Sequence, residues 1–420
     1  MTRALVEANR RTFASLRRHR NYRLFFSGQV VSVSGTWMQN IATAWLVLAI
    51  THSAVAVGIL ATFQFLPFTL FGLFAGVLVD RLDPRRTVIA TQAMAMILAV
   101  ALTGVTVAGV VTPWEIYLLT AIRGVVLVVD APARQALTFQ MVGRDELPNA
   151  IALNSSLFNA ARVVGPAIGG ALVATVGVSW CFGLNAASYL AVIAGLVMMR
   201  RGELFSLERA ATAPTFLRGT GEALVHVART PLLLVSLATV FAVSTLAFNF
   251  NVLLPVLART TLDAGAGTFG IVSAFFGAGA LAGALVSAMR SRASVPAMLA
   301  GAAGLGLAQL LLAPETSVVV VSAFLFAAGM SFTVWSSNAN SILQLHAPGH
   351  LRGRVIGLYF FAFNGSGPAG GLLAGWLAER GGTQLAFGVA GVAALASAGI
   401  AVVALRGRPR TAGLGLGGAG

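Results

Sequence analysis

Long apolar runs separated by short polar segments dominate the chain from end to end. A helix needs roughly 20 apolar residues to cross the hydrocarbon core of a bilayer, and twelve runs of about that length occur. We therefore predict an all-α integral membrane protein with twelve transmembrane helices. The predicted spans are residues 24–50, 55–79, 87–111, 114–133, 149–177, 179–199, 231–258, 266–289, 295–313, 317–341, 355–378 and 384–405.

The second half of the chain repeats features of the first. Residues 134–177 resemble residues 340–382, since both segments carry a polar loop with a Leu and then a Gly-Pro pair followed by small residues. Residues 73–80 likewise resemble residues 281–288. Two parallel repeats of six spans are typical of transporters that bind substrate between their halves, near the bilayer midplane. We therefore predict two pseudo-symmetric six-helix bundles.

Polar segments mark the bounds of the two bundles. The segment 201–230 is the longest polar stretch in the interior of the chain and is predicted to be a cytoplasmic linker. Within it, Leu217, Leu224 and Val227 fit one face of an interfacial helix, and a plain linker explains the composition equally well. The predicted domains are a basic cytoplasmic tail at 1–23, bundles at 24–200 and 231–405, the linker at 201–230, and a disordered cytoplasmic tail at 406–420.

Composition and charge agree with a membrane protein. Hydrophobic residues make up 57% of the chain and charged residues 10%, whereas roughly a quarter of the residues in soluble domains are charged. The net charge of +15 would suggest nucleic-acid binding in a soluble protein. Here all 28 basic residues are Arg and most flank apolar runs, so we predict the lipid bilayer as a partner and no nucleic acid.

The arginines also predict the topology. On the predicted spans, 24 of them lie on the side that holds both termini and 2 lie on the opposite side. Cytoplasmic loops carry such an excess of Arg. We therefore predict a multi-pass protein of the bacterial inner membrane, with both termini cytoplasmic, and we expect a monomer.

Several kinds of chemistry are excluded by the residues present. The absence of Lys rules out a Walker A loop. The only cysteine, Cys181, excludes an internal disulfide and a cysteine-rich metal site. The five histidines lie in tails or loops, and neither H-E-x-x-H nor G-x-S-x-G occurs. We predict no cofactor, no metal and no enzymatic activity.

A dense cluster of both charges follows the second span, in the sequence GVLVDRLDPRR at 76–86. Asp80 falls at the C-terminal end of a helix, where the macrodipole is already negative, so a positive group should face it. The N-terminus of the eleventh span, beside residues 351–354, is a candidate. We predict that Asp80 forms a latch between the two halves on the cytoplasmic side.

This cluster resembles the signature loop between spans two and three of the major facilitator superfamily. Asp83 and Pro84 stand where that loop usually has Gly and Arg. The matching residues are Gly76, Asp80, Arg81, Arg85 and Arg86.

Further segments resemble the drug:proton antiporter branch of that superfamily, which contains the enterobactin exporter and macrolide efflux proteins. They are residues 21–39, 130–137 and 147–170. The resemblance covers roughly 20–405 and implies the major facilitator fold and transport by alternating access.

The fifth span contains the core of the branch's antiporter motif. Pro166 removes a backbone donor, and neighbouring glycines allow a close approach between helices. A kinked, tightly packed helix would control leakage, and ordinary small-residue packing explains the glycines equally well. The motif residues are Gly165, Pro166, Gly169 and Gly170.

Three charged residues lie well inside predicted spans, where each needs a partner or a cavity. Arg123 occupies the place of the superfamily's span-four arginine, which implies a role in proton handling. Asp130 is the only carboxylate well inside a span and is the default candidate for proton coupling. It also fits a structural ion pair with Arg134 or with Arg162, which would hold span four to span five.

Spans one, four, seven and ten line the cavity in the superfamily, which implies polar substrate contacts on them. An interhelical hydrogen bond explains each of these residues equally well. The candidates are Gln39, Asn40, Asn249, Asn251 and Asn338. Aromatic residues that fit either an adaptable cavity wall or a lipid-facing surface are Phe63, Phe65, Phe248, Phe250, Phe275, Phe276, Phe360 and Phe361.

These patterns predict a secondary active transporter that exports amphipathic small molecules of the drug, macrolide or siderophore type. Its predicted partners are that substrate and protons. Two alternatives remain open from the sequence. The first is a lysophospholipid or lipid translocator of the same fold, and the second is a membrane receptor or assembly factor without transport.

Overall fold

The computed structural model describes residues 13–72, 82–206, 216–289, 293–349 and 351–406, with only the backbone at 216–219. Helices account for nearly all of these residues, and no strand occurs among them. The predicted all-α membrane fold is thereby confirmed.

The N-terminal half begins its helices at residues suited to cap them. Ser53 accepts a hydrogen bond from the backbone N–H of Ala56 at 3.3 Å, and Asp83 accepts one from Arg86 at 3.0 Å. Such caps satisfy N–H groups that have no partner inside the helix. The helices are α1 (Ala14–Arg18), α2 (Arg20–Thr51), α3 (Ala54–Phe71), α4 (Pro84–Val107), α5 (Pro113–Thr175) and α6 (Val178–Val197).

The C-terminal half follows a similar plan but breaks two of its predicted spans. The seventh span is interrupted at residues 247–249 and the eleventh at residues 365–366. A turn of π-helix, Leu257–Thr261, extends α9. The helices are α7 (Phe216–Arg229), α8 (Pro231–Leu246), α9 (Phe250–Val256), α10 (Ala266–Met289), α11 (Val295–Leu312), α12 (Val318–His346), α13 (Arg352–Asn364) and α14 (Gly367–Arg406).

Two pairs of spans are joined by glycines rather than by loops. Within α5, Gly143 has φ 70° and ψ −174° and separates the fourth span from the fifth. Within α14, Gly382 has φ 69° and ψ 179° and starts the twelfth span. A side chain at positive φ would be strained, so glycine is what permits these abrupt turns.

Nine described stretches are long and apolar enough to cross a membrane. Two of them, Pro113–Thr175 and Arg352–Arg406, each hold two predicted spans. Together with α2, these stretches account for the described residues of all twelve predicted spans, apart from a few residues at span ends and the breaks in the seventh and eleventh spans.

The linker contains a helix, α7, whose buried stripe is narrower than the one expected. Ala223 and Val227, four residues apart, are buried, and α7 packs on α8 and α13. Leu224 was grouped with Val227 in the sequence but is 49% exposed, because the stripe in contact with these helices excludes it. Glu222 pairs with Arg354 at 3.2 Å. The side chain of Leu217 lies outside the described residues.

The two halves meet along two seams of closely packed helices, α5 on α10 and α3 on α14. A Cβ on Gly170 would lie 2.5 Å from the Cα of Gly270, so only glycine fits the first seam. A Cβ on Gly58 would lie 2.6 Å from the carbonyl oxygen of Gly371 in the second. Glycine pairs of this kind bring helix backbones into direct contact. We call this end of the molecule, which contains the turns at 52–53 and 262–265, the sealed end.

The first seam does not continue to the opposite end. Ser155 lies seven residues before Arg162, on the same face of α5, and is exposed. Ala288 lies on the face of α10 that carries Gly270 and Gly277 and is exposed as well. The faces that pack together at the sealed end are therefore open at the other end of the same helices.

Candidate functional site

A network of polar side chains occupies the interior of the N-terminal half. Arg123 on α5 donates to the Oδ1 of Asn40 on α2 at 2.6 Å. The adjacent Gln39 accepts a hydrogen bond from Asn185 on α6 at 2.6 Å. Asn185 also donates to the hydroxyl of Tyr189 at 3.4 Å. We call these five residues the polar network; it links three spans at one level of the bundle.

Arg162 lies beside this network, on the second half of α5. Its guanidinium lies 5.3 Å from the centroid of the Trp37 ring on α2. Trp37 and Asn40 are three residues apart and thus lie one turn apart on neighbouring positions of that helix. The side chains of Arg123 and Arg162 therefore contact the same stretch of α2. The sequence identified both arginines but not their common contact.

Asp130 belongs to a separate cluster, which is buried and satisfied. Its Oδ1 accepts hydrogen bonds from Thr91 at 2.6 Å and Gln92 at 3.1 Å. Its Oδ2 pairs with Arg134, one turn further along α5, and Arg134 also donates to Gln29 on α2. Of the two partners considered from the sequence, the structure pairs Asp130 with Arg134. The cluster ties together α2, α4 and α5 within one half.

The polar candidates of the C-terminal half mostly bond within their own bundle. Asn249 donates to the carbonyl of Thr245 at 2.8 Å and is buried. Asn338 donates to the carbonyl of Val334 at 2.8 Å and accepts from the N–H of Ser294 at 3.0 Å. Asn251 is exposed. These contacts of Asn249 and Asn338 stay within the C-terminal half and use only part of the hydrogen-bonding capacity of each amide.

Aromatic rings fill the corresponding region of the C-terminal half. The rings of Phe248 and Phe332 stack with centroids 4.0 Å apart, and those of Phe250 and Phe276 lie 4.4 Å apart. Phe363 lies 5.6 Å from Phe248. We call these five residues the aromatic cluster. The cluster lies where α8 ends and α9 begins. Two of its rings, Phe248 and Phe250, belong to the break in the seventh span and to the first residue after it.

Sequence reasoning identified only part of this cluster. Phe248, Phe250 and Phe276 were among the predicted aromatic residues, whereas Phe332 and Phe363 were missed. Two of the other candidates, Phe275 and Phe360, are 45% and 48% exposed and lie outside the cluster. Their neighbours in sequence take the interior positions because successive helical residues point about 100° apart. The rest of that candidate set, Phe63, Phe65 and Phe361, lies outside the cluster too.

The predicted cytoplasmic latch falls mostly outside the described residues, which exclude Gly76, Asp80 and Arg81. Arg85 donates to the carbonyls of residues 196 and 197 at 2.8 and 3.1 Å, so it caps the C-terminal end of α6 in its own half. Arg86 contributes its backbone N–H to the cap at the start of α4.

The antiporter-motif glycines lie at helix contacts. Gly165 and Gly169 pack against α2, where a Cβ on Gly169 would lie 3.2 Å from Met38. Gly170 forms the seam with α10, and a Cβ on Gly270 would lie 2.7 Å from the carbonyl of Pro166. Only Gly143 departs from helical dihedrals within α5, so Pro166 does not interrupt the helix.

Glu379 is a functional candidate that the sequence analysis missed. Its Oε2 accepts hydrogen bonds from the N–H groups of Ala54 at 2.6 Å and Val55 at 3.3 Å, and from the hydroxyl of Ser53 at 3.2 Å. A carboxylate from the C-terminal half thus caps the first turn of α3 in the N-terminal half. Glu379, like Asp80, is an acid at the C-terminal end of a predicted span, so the helix macrodipole predicts a positive group facing it as well.

Comparison with known proteins relates this architecture to a family. The profile of transmembrane secretion effectors matches residues 10–412. The multidrug efflux pump Tap of Mycolicibacterium fortuitum is 29% identical over 367 residues, which cover 84% of this chain and 88% of that protein. The enterobactin exporter EntS of Salmonella typhimurium is 26% identical over 351 residues, which cover 82% of each chain.

Solved structures show the same fold at low sequence identity. A peptide-transporter-family (POT) protein in complex with 5-aminolevulinic acid aligns with a TM-score of 0.75 at 11% identity, over 92% of this chain and 96% of that one. A bacterial homologue of the lysosomal transporter Spinster, described as inward-facing and unoccupied, aligns with a TM-score of 0.67 at 12% identity, over 91% and 95%. The chain therefore belongs to the transmembrane secretion effector family of the major facilitator superfamily and is a transporter rather than an enzyme.

Proposed function

We propose that this chain is a secondary active exporter that moves amphipathic small molecules across the bacterial inner membrane by alternating access. The observation that carries the proposal is the pair of helical halves, which pack tightly at the sealed end and whose α5–α10 seam is open at the other end. A shared region between such halves becomes accessible from either side when the halves rock. The multidrug and siderophore exporters among the relatives support an amphipathic substrate.

The proposed orientation places both chain termini in the cytoplasm. The support is the distribution of Arg, 24 on the terminal side against 2 on the other. In this orientation the sealed end faces away from the cytoplasm and the molecule is open to the inside. Protease accessibility of tags at the two ends in right-side-out vesicles tests it, since cleavage of either tag from outside contradicts the orientation.

Proton coupling is the proposed energy source. The purified protein is reconstituted in liposomes, and separate batches of these liposomes are loaded with enterobactin or with a macrolide. Transport of each compound is measured with and without an imposed pH gradient. We expect an inwardly directed proton gradient to accelerate export severalfold. Transport that proceeds equally without the gradient removes proton coupling, whereas no transport of any tested compound contradicts the exporter.

A latch at Asp80 is the proposed counterpart of the Glu379 contact, on the cytoplasmic side. Asp80→Asn should reduce transport at least tenfold while the protein remains folded in the membrane, because a neutral amide interacts more weakly with a helix N-terminus. Asp83→Asn is the matched control: Asp83 caps α4 in its own half, and Asn caps helices as well as Asp does. Equal transport by wild type and Asp80→Asn would discard the latch.

A further inference from the structure

Arg162 carries a partly buried positive charge without a counter-charge in the described residues. Its Nε is buried and has no hydrogen-bond partner there. None of the ion pairs among these residues includes Arg162 or Arg123. A charge removed from water without a partner costs several kcal/mol. An anion bound beside Arg162 would therefore be stabilised by the guanidinium and would supply its missing counter-charge.

The protein offers Arg162 no carboxylate of its own within the described spans. Asp130 is the only acidic side chain well inside a described span, and both of its oxygens are engaged by Thr91, Gln92 and Arg134. Arg123 interacts with the neutral side chains of Asn40 and Tyr189. The polar network and Arg162 together thus present two positive charges against the same turn of α2.

Arg162 lies where the seam between the halves ends. Its carbonyl lies against α10, since a Cβ on Gly277 would be 2.5 Å from that oxygen. Two turns before it on the same face of α5, Ser155 is exposed. Trp37 covers one face of the guanidinium, and the edge of a stacked guanidinium remains free for a bidentate acid group.

The other half supplies a complementary surface without charge. The aromatic cluster contains no acidic or basic residue, and two of its rings, Phe248 and Phe363, are only half-buried. Phe250 begins α9, which packs across the seam against α2 and α3. Planar apolar groups stack favourably on such rings. A cation, by contrast, would meet two positive charges and no carboxylate.

We propose that this site binds amphipathic organic anions with a planar apolar body, a substrate class that rests on the export function proposed above. Arg162 pairs with the acid group and Arg123 adds a second positive charge nearby. The aromatic cluster contacts the apolar body. The two halves thus recognise different parts of one substrate.

The test compares two fluorescent probes that differ in one acid group, anilinonaphthalene sulfonate and the neutral phenylnaphthylamine. Each is titrated against the full-length protein in phosphatidylcholine nanodiscs, with empty nanodiscs subtracted. Arg162→Gln should weaken sulfonate binding about tenfold or more, about 1.4 kcal/mol, and leave the neutral probe within twofold. An equal loss of both probes, or no loss of either, overturns the proposal.

Arg380→Gln is the matched control. The guanidinium of Arg380 also lies 5.3 Å from a tryptophan ring centroid, that of Trp376, but at the sealed end. It should bind both probes as wild type does. If Arg162→Gln does not fold, Arg162→Lys keeps the charge but not the planar fork. Lys should weaken sulfonate binding threefold or more, and unchanged sulfonate binding contradicts the assigned pairing.

Two competitors identify the source of the anion, naphthoate for a soluble aromatic acid and lysophosphatidate for a lipid. Displacement of the sulfonate probe by naphthoate supports the proposal. Displacement by lysophosphatidate but not by naphthoate overturns the proposed contact between the aromatic cluster and a planar substrate, and it favours lipid translocation. Because these are binding measurements, they fail independently of the liposome assay, in which transport of a neutral macrolide would still support an exporter.

Discussion

The two halves share a helical plan but fill their interiors with different chemistry. The N-terminal half buries Asp130 with Arg134 and, further along the same helix, Arg123 against Asn40. At the middle of the C-terminal spans no described residue is charged, and stacked rings such as Phe248 and Phe332 occupy the interior instead. One half is held by charge and hydrogen bonds, and the other by ring packing.

This difference separates the role of the repeated backbone, which packs the two halves together, from the role of the interior side chains. The glycine seams depend on backbone proximity, which both halves supply alike. They govern how the halves can move against each other. The interior side chains are not constrained by that requirement, so the halves were free to diverge in the chemistry they offer a substrate.

The largest effect should come from breaking the charge cluster of the N-terminal half. Asp130→Ala leaves the partly buried Arg134 without its acid. Breaking a buried ion pair costs about 3–5 kcal/mol, so the variant should have a markedly lower thermal unfolding midpoint in detergent. Asp130→Asn, which keeps an acceptor for Thr91 and Gln92, is the milder comparison. If Asp130→Asn is folded but transports without regard to the pH gradient, Asp130 couples protons instead of only holding helices together.

A comparable but smaller effect is expected from the aromatic cluster. Phe332→Ala removes a buried ring and should cost about 3 kcal/mol, the lower limit for such truncations, because half-buried Phe248 can relax toward the cavity. The same unfolding assay measures it. Phe326→Ala on the same helix is the control, since Phe326 is 36% exposed and should cost much less. Equal losses for the two variants would show that the cluster is not a packing core.

The smallest effect concerns the contact that each half makes with the other. Glu379→Gln weakens charge-assisted hydrogen bonds to the start of α3, by about 1.5 kcal/mol, and should shift the balance between closed and open states at the sealed end about tenfold. Distances between spin labels at the first turn of α3 and at the turn of α14 around Gly382 report it, and Cys181, the only cysteine of the chain, is buried.

The control for Glu379→Gln is Glu315→Gln. Glu315 is an acid in the turn before α12 at the same end and makes no side-chain hydrogen bond among the described residues. Asp80→Asn should shift the label distances in the opposite direction. A Glu379→Gln distance distribution identical to that of wild type would remove this residue from the closing of the sealed end.

Hydropathy and charge alone sufficed to predict the helical plan. Each span must be about as long as the bilayer is thick, so a run of apolar residues of that length predicts its position. The closely spaced spans predicted at 149–177 and 179–199, and at 295–313 and 317–341, are separate helices with short breaks between them. The transporter family could also be predicted, because the loop at 76–86 and the fifth-span glycines carry it in a few residues.

The contacts of the interior could not be predicted in the same way. In a membrane helix the lipid-facing and interior-facing sides are both apolar, so periodicity does not separate Phe275 from Phe276. Gln39 and Asn40 are adjacent, yet one binds α6 and the other α5. Glu379 was missed because its partner, the start of α3, lies more than three hundred residues away in sequence.

The break at residues 247–249 has a mechanical consequence. Before the break, α8 packs on α12, α13 and α14 of its own half. After it, α9 packs on α14 and α10 of the same half and also on α2 and α3 of the other half. When the halves tilt, α8 would move with its own half, whereas α9 is also held by the other half, so the three unwound residues between them are suited to absorb the difference. Because Phe248 lies in this break, a movement of the halves would also rotate one ring of the aromatic cluster. Such a rotation would weaken the stacking of that ring on a bound substrate as the transporter changes its accessible side.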